Sequence, residues 1–300
     1  MTWWRGVRSF VLVVDALFSL PRLAAVYDPL DPGRPDLEVY AAMAAEFGAR
    51  RVLDIGCGTG TFACLLASRG LTVAGLDPAL ASLEIARAKP FADRVRWVHG
   101  FADVLPPLTA DLVTMTGNVA QVFVADDEWA AVLAAAAGAL RPGGRLVFET
   151  RDPARRAWLE WNRADSHVRA VVPGAGVVET WHEVTDVSGE LVSFRTTHVF
   201  ESDGAVLTSD STLRFRAKQA VLDSLSAAGL TGIMEICRDY AVIRPGTRLP
   251  DWRARSPTAC SAGAVILRRK RASANRAGRS PRCRAPPWRS RSRGPTCSAG

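Results

Sequence analysis

The stretch RVLDIGCGTG, residues 51–60, decides the fold of this chain. RVLDI is typical of a short buried strand, and it is followed at once by Gly56, Gly58 and Gly60. Glycines let the main chain turn sharply and bring bare N–H groups against a ligand at the start of the next helix. A dinucleotide site needs its third glycine one residue later, so this spacing favours a ligand with an adenosine but no diphosphate at that point.

Strands and helices alternate from this stretch outward. Strands are predicted at residues 51–55, 71–77, 94–100, 111–118 and 144–152, and helices at 37–47, 61–69, 78–89 and 126–140. This alternation requires right-handed crossovers and a parallel sheet covered on both faces. Two further strands are expected within 231–242 and 264–270. The predicted fold class is therefore α/β, with a doubly wound, mainly parallel, seven-stranded, Rossmann-like sheet.

The pattern changes after Asp152, where a helix is predicted over 154–163 and hairpin strands over 176–186, 190–200 and 206–216. We expect these strands to form an antiparallel β insertion after strand 5, which lies as a lid over one end of the sheet. The chain is predicted to begin with an N-terminal extension (1–24) and a nucleoside-binding core (25–152). The lid or substrate insertion (153–215), the rest of the core (216–270) and a disordered basic tail (271–300) follow.

Composition is typical of a globular enzyme-like protein, with 48% hydrophobic and 23% charged residues. The net charge of +8 comes from residues 268–300, which hold eleven Arg or Lys and no Asp or Glu. Residues 1–267 have 27 basic and 30 acidic residues and are therefore slightly acidic. Such a tail could bind nucleic acid, although a dispensable tail explains it better. The six cysteines show neither metal-site nor disulfide spacing, which favours a cytoplasmic protein without a metal. The apolar run at 10–20 is too short to span a membrane.

Polar residues follow each strand at the edge of the sheet where ligands bind in open α/β folds. Asp77 closes the second strand, where a carboxylate accepts hydrogen bonds from the two hydroxyls of a ribose. Asp103 follows the third strand and could accept from an exocyclic amine of a base. An NAD-dependent oxidoreductase, which shares the strand, the glycine loop and the acid, stays open as an alternative.

Four segments together carry a family resemblance: VLDIGCGTG, VAGLDPALASLEIARAK, GFADVLP and ALRPGGRLVFET. This series resembles the motifs of class I S-adenosylmethionine (SAM)-dependent methyltransferases. YDPLDP, TGNVAQVF and ETRDPARRAWLEW add a narrower likeness to bacterial small-molecule methyltransferase-domain proteins. The likeness runs from about residue 25 to residue 230 and implies transfer of a methyl group from SAM to a small-molecule acceptor. It weakens after Gly229, where the chain departs from the pattern.

The resemblance also implies roles for individual residues. It places the glycine loop under the methionine part of SAM, Asp54 near the amino group, Asp77 on the ribose and Asp103 on the adenine amine. Asn118 is implied near the sulfonium and the acceptor, and Tyr27 in a segment that closes over the cofactor. The predicted cofactor-binding set is Asp54, Gly56, Cys57, Gly58, Gly60, Asp77, Pro78, Asp103, Asn118 and Tyr27.

The acceptor side is expected in the insertion and beside the fourth and fifth strands. Predicted acceptor-binding residues are Asn118, Gln121, Arg151, Trp158 and Trp181. His182, next to Glu183, is the predicted proton acceptor, because an amine or hydroxyl acceptor must lose a proton. Besides the oxidoreductase, a nucleic-acid methyltransferase or binder that uses the tail stays open, as does a catalytically silent nucleoside-binding module.

Overall fold

The structure, a computed structural model, describes residues 14–238 and 262–269 of the chain. The strands of its mostly parallel central sheet are β1 Arg51–Ile55, β2 Thr72–Asp77, β3 Val95–His99, β4 Ala110–Met115, β5 Leu140–Arg151, β10 Leu230–Arg238 and β11 Ala262–Arg269. They lie in the order β10-β11-β5-β4-β1-β2-β3. The first five are mutually parallel, whereas β11 pairs antiparallel with both β5 and β10.

Helices cover both faces of this sheet and bury two separate apolar clusters. The helices are α1 Ala16–Ser19, α2 Pro21–Leu30, α3 Pro35–Glu46, α4 Thr61–Ser68, α5 Leu80–Arg87, α6 Asp126–Ala139, α7 Arg163–Ser166 and α8 Lys218–Ala227. Alternate residues of β1 point to opposite faces, so Val52 joins the cluster beneath α3 and α4, and Leu53 joins the cluster beneath α6 and α8. A strand buried on both sides reads as a continuous apolar run, as RVLDI does.

A second, antiparallel sheet follows β5 in the chain, with its strands in sequence order. They are β6 Val168–Val172, β7 Gly176–Ser188, β8 Leu191–Phe200 and β9 Ala205–Arg214. One face of this lid sheet buries Val178 and Phe200 against Leu23 and Val26 of α2. The predicted mostly parallel Rossmann-like core and its antiparallel insertion are thus confirmed.

One local expectation was wrong, and two elements were not expected. The predicted helix over 154–163 is instead two short 3₁₀ turns, Pro153–Arg155 and Ala157–Glu160, separated by Arg156 in a left-handed conformation (φ 49°). The Asp152 side chain accepts the N–H of Ala154 and fixes the first turn. The strand β6 and the helix α2 were not predicted.

The N-terminal region is part of the folded body from residue 14 onward. Helix α2 runs across the expected boundary between residues 24 and 25, and its Leu23 and Val26 are almost fully buried. None of the helices in the described residues is both long and apolar enough to cross a membrane. Residues 1–13 and the basic tail from residue 270 lie outside the described residues, as do 239–261.

Candidate active site

A cavity lies at the carboxyl ends of β1, β2 and β4, where the strand order reverses. Of the predicted site residues, Gly56, Cys57, Gly58, Asp77, Pro78 and Tyr27 line it. It is also lined by Val14 and Asp15 before α1, by Phe18 in α1 and by Thr212 of lid strand β9. The cavity is therefore bounded by the core, the N-terminal helices and the lid.

The glycine loop is held tightly against β2. The N–H groups of Gly56 and Cys57 both donate to the carbonyl of Leu76, at 2.8 and 3.1 Å. Gly56 has a φ of 70°, and a Cβ there would lie 2.5 Å from Cγ2 of Val119. A side chain at position 56 is therefore excluded both by backbone strain and by contact with the turn after β4.

Gly60 does not line the cavity, and its position allows the helix after the loop to pack closely. A Cβ added at Gly60 would lie 2.5 Å from the indole ring of Trp97 and 2.7 Å from the Cβ of Ala86. Its φ of 76° places it in the left-handed region directly before α4. The third glycine thus allows close contact between α4, α5 and β3.

Asp77 faces the cavity with its carboxylate fixed by two backbone donors. Oδ2 accepts the N–H of Gly58 at 2.7 Å, and Oδ1 accepts the N–H of Ala79 at 2.8 Å. Burial raises the pKa of Asp77, although both backbone hydrogen bonds oppose this shift. Each oxygen retains a lone pair for a further donor, as a ribose diol requires.

Asp54 lies behind the glycine loop and does not line the cavity within the described residues. Its Oδ1 accepts the hydroxyl of Thr114 at 2.7 Å, and its buried Oδ2 has no partner among the described residues. Burial raises the pKa of Asp54 to about 7. Such a carboxylate favours a positive charge nearby, which would stabilise its ionised form.

Arg34 also lines the cavity, and sequence reasoning missed it. Its guanidinium is oriented by two hydrogen bonds to Asp36, from Nε at 3.0 Å and from Nη2 at 2.8 Å. It stands close to Gly117, since a Cβ at that glycine would lie 4.0 Å from Nη2. In the sequence, Arg34 is only a single basic residue just before a predicted helix. Such a residue is common and does not by itself indicate a binding site.

The YDPLDP segment fastens the N-terminal helices to the core. Asp28 accepts hydrogen bonds from Thr59 in the glycine loop at 2.7 Å and from the ammonium of Lys89 at 2.6 Å. Its neighbour Tyr27 lines the cavity, and its ring packs at 5.5 Å from that of Phe18. Asp28 thus links the N-terminal helices to the core, and Tyr27 forms part of the cavity wall.

Glu149 on β5 organises the turn after β4, and it too was missed. Its Oε1 accepts the N–H groups of Gly117 and Asn118 at 2.7 and 3.1 Å, and its Oε2 accepts the hydroxyl of Tyr40 at 2.8 Å. Asn118 adopts a left-handed conformation, with φ 63°. Its Oδ1 is buried without a partner among the described residues, whereas Gly117 and Val119 on either side line the cavity.

Glu149→Gln is expected to lower the stability of the free protein by about 2 kcal/mol, because the two N–H groups then donate to a neutral amide oxygen instead of a carboxylate, and the amide nitrogen cannot accept the Tyr40 hydroxyl. Urea unfolding monitored by fluorescence measures this change. Tyr40→Phe removes a single hydrogen bond to the same carboxylate and is expected to lose about half as much. Equal stability of Glu149→Gln and the wild type would contradict the role given to Glu149.

Asp103 is exposed in a 3₁₀ turn and does not itself line the cavity, although Phe101 and Ala102 beside it do. The predicted acceptor residues are also not in the cavity lining. Gln121 is fully buried, and its Oε1 accepts from Nη1 of Arg151 at 3.0 Å. The ring of Trp158 packs 4.7 Å from that of Phe215.

His182 and Trp181 point to opposite faces of the lid sheet, as consecutive strand residues do. His182 Nδ1 lies 2.9 Å from the hydroxyl of Thr196, and its ring lies 5.8 Å from Phe194 on the inner face. Trp181 donates to Glu183 at 2.8 Å, and its ring is covered by Arg163. The structure therefore separates Trp181 from the inner-face group that includes His182.

Comparison with known proteins agrees with this geometry. Residues 52–144 match a family model described as a methyltransferase domain. A cypemycin N-terminal methyltransferase from a Streptomyces species is 34% identical over 143 residues, which are 47% of this chain and 56% of that protein. A ubiquinone biosynthesis O-methyltransferase from Idiomarina loihiensis is 33% identical over 130 residues, 41% of this chain and 51% of that protein. The chain thus spans about half the length of these curated relatives.

Solved structures share the fold over a longer stretch. The sugar N-methyltransferase KedS8 from a Streptoalloteichus species superposes with a TM-score of 0.64 at 20% identity, over 89% of this chain and all of that one (100%). The methyltransferase CcbJ from Streptomyces caelestis gives 0.62 at 22% identity, over 82% and 97% of the two chains. The family match and the relatives favour the methyltransferase interpretation over the oxidoreductase alternative. Residues 52–144 therefore match a methyltransferase domain, and the chain shares the fold of the solved methyltransferases.

Proposed function

We propose that the chain transfers the methyl group of SAM to a small-molecule acceptor by in-line displacement. The carrying observation is the cavity in which the side-chain-free loop at Gly56 and Gly58 lies beside the fixed carboxylate of Asp77. When bound, SAM supplies an electrophilic methyl group on a positively charged sulfur. The protein's task is alignment and exclusion of water, so no protein nucleophile is needed.

Three features of the chain fit this cofactor. The loop at Gly56 and Gly58 would hold the methionine part, and Asp77 with Pro78 the ribose, as the sequence predicts. Arg34 offers the cation that a methionine carboxylate needs, and its own hydrogen bonds to Asp36 keep it in place. Asp54, buried with an unpartnered oxygen, favours the positive end of the same ligand. Asp103 and Asn118 remain proposed contacts to the adenine amine and near the sulfonium.

Calorimetry with SAM, its demethylated product and NAD tests this proposal on the full chain. We expect both SAM and its product to bind and NAD not to bind, because the third glycine lacks the dinucleotide register. Binding of NAD alone would overturn the proposal. Tight binding of SAM without transfer to any acceptor would instead favour the silent nucleoside-binding module.

The seven strands of the central sheet, with β10 and β11 at one edge, are proposed to be its full set, as is typical of this class. The setting is proposed to be the cytoplasm, on the cysteine argument. The relatives include an N-terminal, a sugar N- and an O-methyltransferase. A small molecule with an amine or hydroxyl is accordingly the proposed acceptor, and Gln121, Arg151, Trp158 and Trp181 keep their predicted role in binding it.

His182 remains the predicted proton acceptor, and its environment keeps the ring neutral. Burial, together with the positive charge of Arg151, lowers the pKa of His182. Burial and the neighbouring His182 also lower the pKa of His198, to about 4. A neutral imidazole can take a proton at physiological pH.

We expect His182→Gln to lower kcat by about tenfold or more while the Kd for SAM stays unchanged. Because the neutral ring is the active form, wild-type kcat should fall as the pH drops through the lowered pKa of His182. The variant should lack this acid limb. Steady-state kinetics across pH, with calorimetry for SAM, measures both effects, and weakened SAM binding with normal turnover would contradict the role.

A further inference from the structure

Three charged side chains line the cavity among the described residues: Asp15, Arg34 and Asp77. Arg34 and Asp77 have places in the proposed cofactor arrangement. Asp15 has none, and neither the motif series nor the family match includes it, since the match begins at residue 52. The cavity therefore contains one carboxylate that cofactor binding does not explain.

The lid holds this carboxylate in position. Asp15 occupies the position before helix α1 where an aspartate commonly caps the helix, yet its side chain makes no capping hydrogen bond. Instead, Oδ2 accepts the hydroxyl of Ser211 on β9 at 2.6 Å. The N–H of Leu17 donates to Ser209 on the same strand at 2.9 Å. These contacts fix the acid where the lid meets the cavity, next to Thr212, which lines the cavity as well.

The electrostatic surroundings of Asp15 suit a positively charged ligand group. Burial raises the pKa of Asp15, the hydrogen bond from Ser211 opposes this shift, and the carboxylate of Asp210 adds to it. No Lys, Arg or His of the described residues forms an ion pair with Asp15. A partly buried carboxylate gains most from a cation that is desolvated together with it.

We propose, on the basis of the methyl-transfer function above, that Asp15 binds the amino group of the acceptor, which is therefore an amine. The bound ammonium loses one proton, for which His182 is the predicted acceptor. The free lone pair of the nitrogen then forms the new N–C bond as the S–C bond breaks, and the electron pair of that bond stays on sulfur. The positive charge moves from sulfur to the methylated nitrogen, and His182 releases its proton to water.

An alcohol or phenol could also donate to Asp15, so the test must compare the two chemistries directly. Labelled SAM and the full chain are incubated with matched pairs: D-glucosamine and D-glucose, benzylamine and benzyl alcohol, and trialanine and its N-terminal lactyl analogue. We expect label in the amine of at least one pair and at least about tenfold less in its hydroxyl partner.

Asp15→Asn keeps the shape of the side chain and removes its charge. For the amine that reacts, we expect kcat/KM to fall about 30-fold or more, with the Kd for SAM within about twofold of wild type. Ser211→Ala keeps the carboxylate but removes its support, and an intermediate loss is expected. Asp186→Asn is the matched control, because Asp186 is an exposed acid of lid strand β7 and does not line the cavity; kcat/KM should stay within about threefold of wild type.

Four outcomes would overturn the assignment of Asp15. They are transfer to the hydroxyl members of the pairs, no transfer to any amine although SAM binds, an Asp15→Asn variant within about threefold of wild type, and a loss of SAM affinity as large as the loss of kcat/KM. Thermal unfolding of each variant shows whether it is folded. A wild-type chain that fails to bind SAM would instead overturn the proposed function itself.

Discussion

Replacing Asp77 with alanine is expected to weaken SAM binding by about 100-fold or more. Hydrogen bonds to a charged acceptor are worth about 1.5–3 kcal/mol each, and a ribose offers two of them. About 2.8 kcal/mol corresponds to a factor of 100 in Kd. Isothermal calorimetry with the demethylated product, which cannot react, measures this loss without interference from turnover.

The same carboxylate also accepts the N–H groups of Gly58 and Ala79, so part of the loss could come from a disturbed loop. Asp77→Asn separates the two causes, because it keeps the volume and one accepting oxygen and should lose less affinity than alanine. Asp93→Ala removes an exposed acid outside the cavity lining and should bind as the wild type does. Unchanged affinity of Asp77→Ala would remove the main support for a nucleoside ligand.

Replacing Gly56 with alanine is expected to abolish measurable SAM binding. A left-handed backbone costs an L-residue about 1–2 kcal/mol. In addition, the new Cβ would lie 2.5 and 2.7 Å from the two methyl groups of Val119, so that the loop or the turn after β4 must move. Either movement displaces residues that line the cavity.

A second substitution shows whether the contact with Val119 is the cause. Val119→Ala removes both methyl groups, and the nearest remaining atom of that residue, Cβ, lies 3.2 Å from the position that the methyl group of Gly56→Ala would take. The double variant should therefore recover much of the affinity lost by Gly56→Ala. Gly70→Ala is the control for backbone strain alone, since its φ is 83° and no atom lies within 4 Å of its added Cβ. Failure of the double variant to recover any affinity would contradict the steric explanation.

The central sheet and the glycine loop were predictable because each depends on local signals. An apolar run followed by glycines specifies a strand and a tight turn whatever the rest of the chain does, and Asp77 follows from its position at a strand end. Gly60 shows the limit of this reasoning. Its spacing is part of the motif, but its neighbours Trp97 and Ala86 come from other elements, so its packing role was not visible in the sequence.

Two of the residues that were missed, Glu149 and Asp15, act through long-range contacts. Glu149 is one carboxylate in a predicted strand, and its importance comes from Tyr40, 109 positions earlier in the chain, and from the turn after β4. Asp15 is positioned by Ser211, 196 residues away. The helix predicted over 154–163 does not form because Asp152 stabilises a 3₁₀ turn and Arg156 reverses the backbone, which apolar spacing does not reveal.

The cavity wall is assembled from three separate stretches of the chain. Tyr27 and Arg34 precede the segment that matches the family model, the glycine loop and Asp77 lie within it, and Thr212 follows it. A recombinant fragment trimmed to residues 52–144 would keep the motifs that identify it but lose two of its three walls. The limits of the matched segment are thus a poor guide to where this protein can be truncated or fused to another protein without exposing its cavity to solvent.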